Sequence, residues 1–141
     1  MKFSHIVILI ISFFVSANIA FSQTSSGTQE YGDGGAYEGE FLNGLPHGNG
    51  TYELPNGYRY VGEWFEGEIN GQGEALFPNG SVYVGSFVKG KPEGSGKITF
   101  SDGGTYEGEW ANGSISGIGY AKYANGTTSV SYTHLTLPTK R

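Results

Sequence analysis

The chain has 141 residues, enough for one small domain, and it contains no cysteine. The absence of cysteine excludes disulfides, zinc–thiolate sites and cysteine nucleophiles. Between positions 23 and 129 there are five basic and thirteen acidic residues, a net charge of −8. A surface of that sign repels phosphate backbones and anionic headgroups. It therefore excludes nucleic acid as the main partner and disfavours anionic membranes.

The first segment, positions 1–22, has the pattern of a secretory signal peptide. A basic start precedes an apolar run of ten residues at positions 6–15, and small residues follow at Ala20 and Ser22. The run is short for a membrane span, which needs about 20 apolar residues. We predict cleavage before Gln23, with cleavage after Ala20 and an uncleaved anchor helix as alternatives. We expect an exported protein (periplasmic, surface-bound or secreted) of bacterial origin.

The remainder of the chain repeats with a period of 23 residues, after a segment at positions 23–36 that holds a partial repeat. A fixed period of this length is typical of stacked repeat architectures. The four full units are 37–59, 60–82, 83–105 and 106–128.

Each unit has the pattern of a β-hairpin. In "YEGEF" the alternation places Tyr37, Gly39 and Phe41 on one face, with Glu38 and Glu40 on the other. A second strand alternates in the same way. We predict that positions 43–47 form the loop between the two strands, and that Asn-Gly or Asp-Gly pairs turn the chain into the next unit. Glycine within a strand indicates close approach, here by an aromatic ring.

The segments "YEGEFLNGLPHGNG" and "YEGEWANGSISGIG" resemble the MORN (membrane occupation and recognition nexus) repeat, over positions 31–128. Phe41 and Phe87 stand where tryptophan is commoner, and Ser86 replaces the usual glutamate. The resemblance implies an all-β fold, an elongated single-layer antiparallel sheet of successive hairpins. It also implies a scaffold or interaction module, placed in some members beside membranes or fused to enzymatic domains.

The aromatic columns are the predicted binding face. A single layer is expected to leave part of each ring exposed, and exposed apolar surface marks contacts. The alternative is that the rings only hold the sheet together. The predicted face comprises Tyr37, Phe41, Tyr60, Trp64, Tyr83, Phe87, Tyr106 and Trp110.

Catalytic patterns are absent from the sequence between positions 23 and 129. His47 is the one histidine there and has no triad or metal partners. The recurring outward glutamates indicate a solvated face that resists aggregation rather than a glycosidase pair. They are Glu38, Glu40, Glu63, Glu107 and Glu109. We therefore predict no enzyme activity, no cofactor and no metal.

The repeat pattern stops at position 129, where serine replaces the expected tyrosine. Positions 130–141 resemble the translation of a transposase-type sequencing adapter, so we expect a non-native tail over 129–141. A genuine short C-terminal strand is the alternative. A fragment of this kind allows further repeats or a catalytic domain downstream.

The sequence thus predicts an exported scaffold that binds a protein partner through the aromatic groove or a sheet edge. Two alternatives stay open. One is a glycan-binding module of the cell envelope, and the other is the non-catalytic N-terminal part of a truncated larger enzyme.

Overall fold

The computed structural model describes residues 22–131. They form one open sheet of ten antiparallel strands, each paired with its neighbours along the chain. Within this range no helix is long and apolar enough to cross a membrane. The predicted all-β fold, a single layer of successive hairpins, is confirmed. The strands are β1 Thr24–Glu30, β2 Ala36–Leu42, β3 Leu45–Glu53, β4 Arg59–Phe65, β5 Glu68–Leu76, β6 Val82–Val88, β7 Lys91–Thr99, β8 Thr105–Ala111, β9 Ser114–Lys122 and β10 Thr128–Ser131.

The two ends of the chain carry predictions that fall largely outside the described residues. The signal peptide lies at positions 1–22, of which only Ser22 is described. At the other end β10 pairs with β9, and positions 132–141 lie beyond the described part. That pairing does not test where the tail comes from, so its non-native origin stays a prediction. The partial repeat is represented by β1, which pairs with β2.

Tight two-residue turns join the strands within each unit. In the first unit Asn43 and Gly44 both have positive φ, 51° and 79°. Two consecutive positive φ angles are typical of the type I′ turn, whose twist matches that of the flanking strands. The predicted loop over 43–47 is therefore wrong, because β3 begins at Leu45. The equivalent turns are Glu66-Gly67, Lys89-Gly90 and Asn112-Gly113.

Asn-Gly and Asp-Gly turns connect one unit to the next, as predicted. After β3, the Gly57 amide donates to the Leu54 carbonyl at 3.1 Å. The Asn56 side-chain oxygen accepts from the Tyr58 amide at 2.9 Å, and Gly57 has φ 94°. Asparagine stabilises the turn through its side chain, and glycine takes the left-handed conformation without a steric penalty.

The core lies on one face of the sheet, here called the inner face. It consists of the tyrosine and tryptophan or phenylalanine columns, with small residues beneath them. The opposite side, which carries the other residue of each alternating pair, is called the outer face. The buried residues of the core are Tyr37, Tyr60, Trp64, Ile69, Ala75, Tyr83, Phe87, Tyr106, Trp110 and Ala121.

Candidate functional site

Each tyrosine of the repeat lies flat over a glycine of the following strand. A Cβ added at Gly50 would come within 2.2 Å of the Tyr37 ring. The Tyr37 hydroxyl donates to the backbone carbonyl of Glu40 at 2.7 Å, so the buried phenol is satisfied. The same arrangement recurs for Tyr60, Tyr83 and Tyr106, whose hydroxyls donate to the carbonyls of Glu63, Ser86 and Glu109.

The second aromatic column covers the exposed side of these tyrosines. Trp64 packs edge-on against Tyr37 of the preceding unit, with ring centroids 4.8 Å apart, and against Tyr60 of its own unit at 5.8 Å. Its indole nitrogen donates to the Gly50 carbonyl at 3.2 Å. Edge-to-face pairs of this kind add about 0.5–1.5 kcal/mol each beyond burial. Phe87 and Trp110 repeat the contact with Tyr60 and Tyr83.

The expectation that the predicted aromatic face leaves an exposed groove is wrong for most of its rings. Seven of the eight rings are between 0% and 7% exposed, and Phe41 is partly buried. The physical reason is that glycine lets one side of each tyrosine contact the backbone, while the next unit covers the other side. Binding by these rings stays untested. The seven buried rings are Tyr37, Tyr60, Trp64, Tyr83, Phe87, Tyr106 and Trp110.

A shallow depression of about 270 Å³ lies near the inner face. Tyr31, Tyr52 and Trp64 contribute to its walls, together with Lys89. Of these, only Trp64 belonged to the predicted face. The depression lies at the hairpin ends of two successive units, where the aromatic columns give way to turns.

The buried tyrosines carry no charge at neutral pH. Burial, with the Glu40 carboxylate as a further cause, raises the pKa of Tyr37 to about 12. Burial raises the pKa of Tyr83 to about 12, and it raises the pKa values of Tyr60 and Tyr106 as well. These phenols therefore act as hydrogen-bond donors that hold the sheet rather than as bases.

The outer face carries a set of apolar side chains, most of them exposed, on the three middle strands β4 to β6. Leu76 on β5 pairs with Val82 on β6, and Val61 lies diagonally beside Leu76. Val84, at 51% exposed, and Phe65, at 50%, are the most exposed members. We call this set the outer patch. It comprises Val61, Phe65, Leu76, Val82, Val84 and Val88.

Sequence reasoning missed the outer patch, although a signal for it was present. The first strands of the second and third units read "YVGEWF" and "YVGSFV", which place valine or phenylalanine at outward positions. The first and fourth units read "YEGEFL" and "YEGEWA", with glutamate in the column of Val61 and Val84 and with leucine or alanine in the column of Phe65 and Val88. The difference lies in positions that do not repeat, whereas the predicted binding face is based on the columns that do.

Acidic side chains lie beyond the outer patch on both sides, but basic side chains border it directly: Lys97 stands opposite Val84, Lys91 opposite Val88 and Arg59 opposite Leu76. Glu38 and Glu40 lie on β2, and Glu107 and Glu109 lie on β8, all on the outer face. Residues 22–76 contain nine acidic residues and one basic residue, a net charge of −8, whereas residues 77–131 contain four of each and are neutral. The apolar centre thus has a mixed surround, with an excess of acidic residues toward the N-terminal side and lysines on β7.

Three of the outward glutamates also stabilise the backbone. In each hairpin the register shifts between the strand glycine and the following aromatic, which forms a β-bulge. The Glu40 carboxylate accepts from the Asn49 amide at 2.5 Å, the Glu63 carboxylate accepts from the Gln72 amide, and Glu109 accepts from the Ile118 amide at 2.7 Å. The third unit has Ser86 in that position and lacks this bond.

A second groove of about 400 Å³ opens beside the outer patch. His47, Asn49, Glu63, Phe65 and Asn70 line it, together with backbone from neighbouring glycines. The His47 ring lies 5.2 Å from the Phe65 ring, measured between centroids. Across residues 22–131 no group of three or more histidine, aspartate or glutamate side chains could hold a metal ion.

The comparisons with known proteins agree with this fold. The MORN repeat family model matches residues 37–57, 60–82, 83–105 and 106–128. No curated protein sequence matches the chain.

Among solved structures, one similar chain is the TCP domain of SAS-4 (dCPAP) from Drosophila melanogaster, in complex with a proline-rich motif of Ana2 (dSTIL). It is 17% identical, with a TM-score of 0.46, over 77% of this chain and 60% of that one. The likeness says nothing about what this chain binds.

Proposed function

Because the chain belongs to the MORN repeat family, we propose that it is an interaction scaffold whose outer patch contacts a protein partner. The repeat is generally a non-catalytic module. The aromatic rings of the inner face are packed against one another, so the opposite surface is the better candidate for binding. Within residues 22–131, the nine large apolar side chains that are at least 38% exposed lie on the outer face, and five of them belong to the outer patch. That placement is the observation on which the proposal rests, since exposed apolar clusters usually mark contacts.

The surround of the patch defines the kind of partner. Specific interfaces combine an apolar centre with a polar rim. Here the rim is acidic toward the first two units and basic along β7, where Lys91 and Lys97 lie. A partner with an apolar centre, basic residues facing the first two units and acidic residues facing β7 is complementary. Nucleic acid and anionic membranes stay disfavoured, because residues 22–131 carry a net charge of −8.

The test exchanges the patch for residues that the repeat already tolerates. Glu38 and Glu107 occupy the same column as Val61 and Val84, so the column accepts glutamate. Both new carboxylates stand opposite Glu74, so the fold of the Val61→Glu/Val84→Glu variant is checked by circular dichroism. The partner is first trapped with a photo-crosslinking residue at position 88 in the source cells. Its affinity for each variant is then measured by calorimetry. We expect a loss of about 2 kcal/mol or more, the range of interface hot spots.

A matched control separates the loss of apolar contact from the gain of charge. Ser114→Glu/Thr128→Glu adds the same two charges at exposed outer-face positions away from the patch. We expect this control to bind as the unmodified chain does. Equal affinity of the partner for the patch variant and for the unmodified chain would contradict the proposal.

A glycan ligand is the second candidate, and the groove beside Phe65 favours it. Sugar rings stack on exposed aromatic faces, and the groove also offers amide and carboxylate groups from Asn49, Asn70 and Glu63. Glycan-array binding that is lost in Phe65→Ala and retained in Val88→Ala would favour this function. Arrays without any binding would remove it.

Export is part of the proposed function. The basic start and the apolar run at positions 6–15 support a cleaved signal peptide. The mass of the protein recovered from the culture medium or periplasm tests this. A mature chain that begins at Gln23 agrees with the proposal, whereas recovery of the full-length chain from the cytoplasm alone contradicts it.

A further inference from the structure

The edge of the sheet at β1 leaves one inner-face position unfilled. At four glycines of the sheet, an added Cβ would come within 2.1 to 2.4 Å of the tyrosine ring that covers it. Gly27 lies in the same column, one period before Gly50. Among residues 22–131, a Cβ at Gly27 would meet only the Phe41 ring, at 3.7 Å. The four covered glycines are Gly50, Gly73, Gly96 and Gly119.

Phe41 is an independent sign of the same gap. Its equivalents in the next units each pack against the tyrosine of the preceding unit, with centroids 4.8, 5.0 and 5.1 Å apart. Within residues 22–131, Phe41 has an aromatic contact only with Tyr37 of its own unit. It is partly buried, whereas Trp64, Phe87 and Trp110 are at most 7% exposed.

The backbone of β1 is open beside this gap. Strand β1 is the first strand of the sheet and pairs only with β2 among the described strands. An edge strand offers a row of free amide and carbonyl groups to an added strand. We propose that this edge accepts an extended segment of another polypeptide with the pattern aromatic-x-Gly, whose ring covers Gly27 and packs against Phe41.

The register of the added strand follows from the pairing inside the first unit. There Tyr37 stands opposite Tyr52 and Gly39 stands opposite Gly50. One period earlier, the added aromatic residue stands opposite Gln29 and its glycine stands opposite Gly27. The glycine is required because the two backbones approach closely: a Cβ at Gly39 would lie 2.5 Å from the Gly50 Cα.

The chain cannot readily fill the site itself. Positions 1–21 and 132–141 contain no glycine, so neither end supplies the pattern. The four Tyr-x-Gly segments of the chain already lie inside the sheet. A second copy would have to open its own sheet to donate one. Strand β1 carries a single charge, at Glu30, so it does not strongly repel a strand of either sign. Because no segment outside the sheet within residues 1–141 has the pattern, the proposed occupant is a strand of a different protein.

The test uses a blocked, fluorescently labelled peptide with the sequence of residues 59–65, "RYVGEWF", and the full-length chain. Binding is measured by fluorescence anisotropy, and hydrogen exchange of the β1 amides locates it. We expect saturable binding that slows exchange in β1. Replacing Tyr60 by serine in the peptide is expected to weaken binding at least about tenfold, because the ring is the largest buried group.

The protein variants provide the matched comparison. Gly27→Val places a branched side chain in the space that the ring requires. Its Cβ meets nothing among the described residues closer than Phe41, at 3.7 Å, so the sheet should persist. We expect a similar tenfold loss for Gly27→Val. Thr28→Val, on the same strand but the outer face, should bind within about twofold of the unmodified chain.

Three outcomes would overturn the inference. They are no binding by the unmodified chain, equal binding by Gly27→Val, and a free protein whose β1 is already occupied by a second copy or by its own terminus. The first two are read from anisotropy, and the third from sedimentation and exchange without peptide. This edge lies apart from the outer patch, so loss of binding here leaves the proposed function untouched.

Discussion

Strand β4 shows how differently the two faces of this sheet are used. On the inner face Tyr60 is fully buried and Trp64 is 7% exposed. On the outer face the adjacent residues Val61 and Phe65 are 39% and 50% exposed. A period of two separates residues that hold the fold from residues that stay largely open to solvent. The side chains of the repeating columns are thus buried in the fold, whereas the positions that vary between units are exposed and available for recognition.

The contrast follows from having a single layer. A two-layer sheet protein covers its apolar face with another sheet or with helices. Here each glycine column lets aromatic rings lie against the backbone, and the neighbouring unit completes the cover. No second layer is needed on that side, so apolar residues on the other side are not required for stability. Their presence on the two middle units has no structural account in residues 22–131.

Alkaline pH should destabilise the packing of the inner face more than any single substitution does. Burial raises the pKa values of four packed tyrosines, to about 12 for Tyr37 and Tyr83, from an ordinary value of 10. A raised folded-state pKa of a phenol means that stability is fully present below pH 10 and is lost as pH rises toward 12. We expect the free energy of unfolding, measured with guanidinium at several pH values, to fall through this interval.

Tyrosinate absorbance, recorded in parallel, identifies the cause. The buried phenols should ionise together with unfolding rather than before it. Tyr83→Phe removes one of the four groups, so the dependence on pH should become shallower. An unfolding free energy that does not change between pH 10 and pH 12 would contradict the burial of these rings.

Substitutions at two neighbouring positions of β4 should have very different effects on stability, because one residue lies on the inner face and the other on the outer face. Trp64→Ala removes a ring that packs on two tyrosines and donates to the Gly50 carbonyl, so we expect a loss of about 3–5 kcal/mol. Phe65→Ala removes an exposed ring and should change stability by about 0.5 kcal/mol or less. Denaturant unfolding measures both. Similar losses for the two would mean that the outer face also supports the fold.

Two glycines of the same column should respond differently to alanine, with a smaller change in stability than Trp64→Ala. Gly50→Ala places a Cβ within 2.2 Å of the Tyr37 ring, so we expect a loss of about 2–3 kcal/mol. Gly27→Ala, where the nearest contact is 3.7 Å, should be neutral or slightly stabilising. Thermal unfolding of the two variants tests this. Equal destabilisation would indicate that Gly27 is covered in the free protein.

Much of the fold could be predicted because it depends on residues that repeat. The period, the hairpins, the Asn-Gly turns and the placement of tyrosine over glycine all follow from columns visible in the sequence. The length of the hairpin loop was not predictable in the same way. The repeat pattern does not reveal that Asn43 takes a left-handed conformation beside Gly44, which shortens the turn to two residues. Nor does it reveal the bulge that follows.

The candidate site was harder to predict because burial depends on neighbours. The aromatic columns look like a binding surface when one unit is considered alone. Only the packing of Trp64 on Tyr37 of the previous unit shows that the rings cover one another. The outer patch required the opposite approach, a comparison of the positions at which the units differ. The gap at Gly27 could not be predicted from the sequence, because a glycine that no ring covers and a glycine under a ring occur in the same sequence pattern.

The smallest expected effect is in the third unit, because it lacks the glutamate whose carboxylate accepts a hydrogen bond from the bulge amide in the other units. Introducing Ser86→Glu should supply the missing acceptor for the bulge amide, as Glu40 and Glu109 do in their units. We expect a gain of about 1 kcal/mol in unfolding free energy, since the site is exposed. Ser86→Gln is the matched control. Its neutral oxygen accepts the same bond, so it should give about half the gain, because charge-assisted bonds are roughly twice as strong. A loss in both variants would mean that the bond between Gln72 and Ser86, 2.6 Å long, matters more than the bulge.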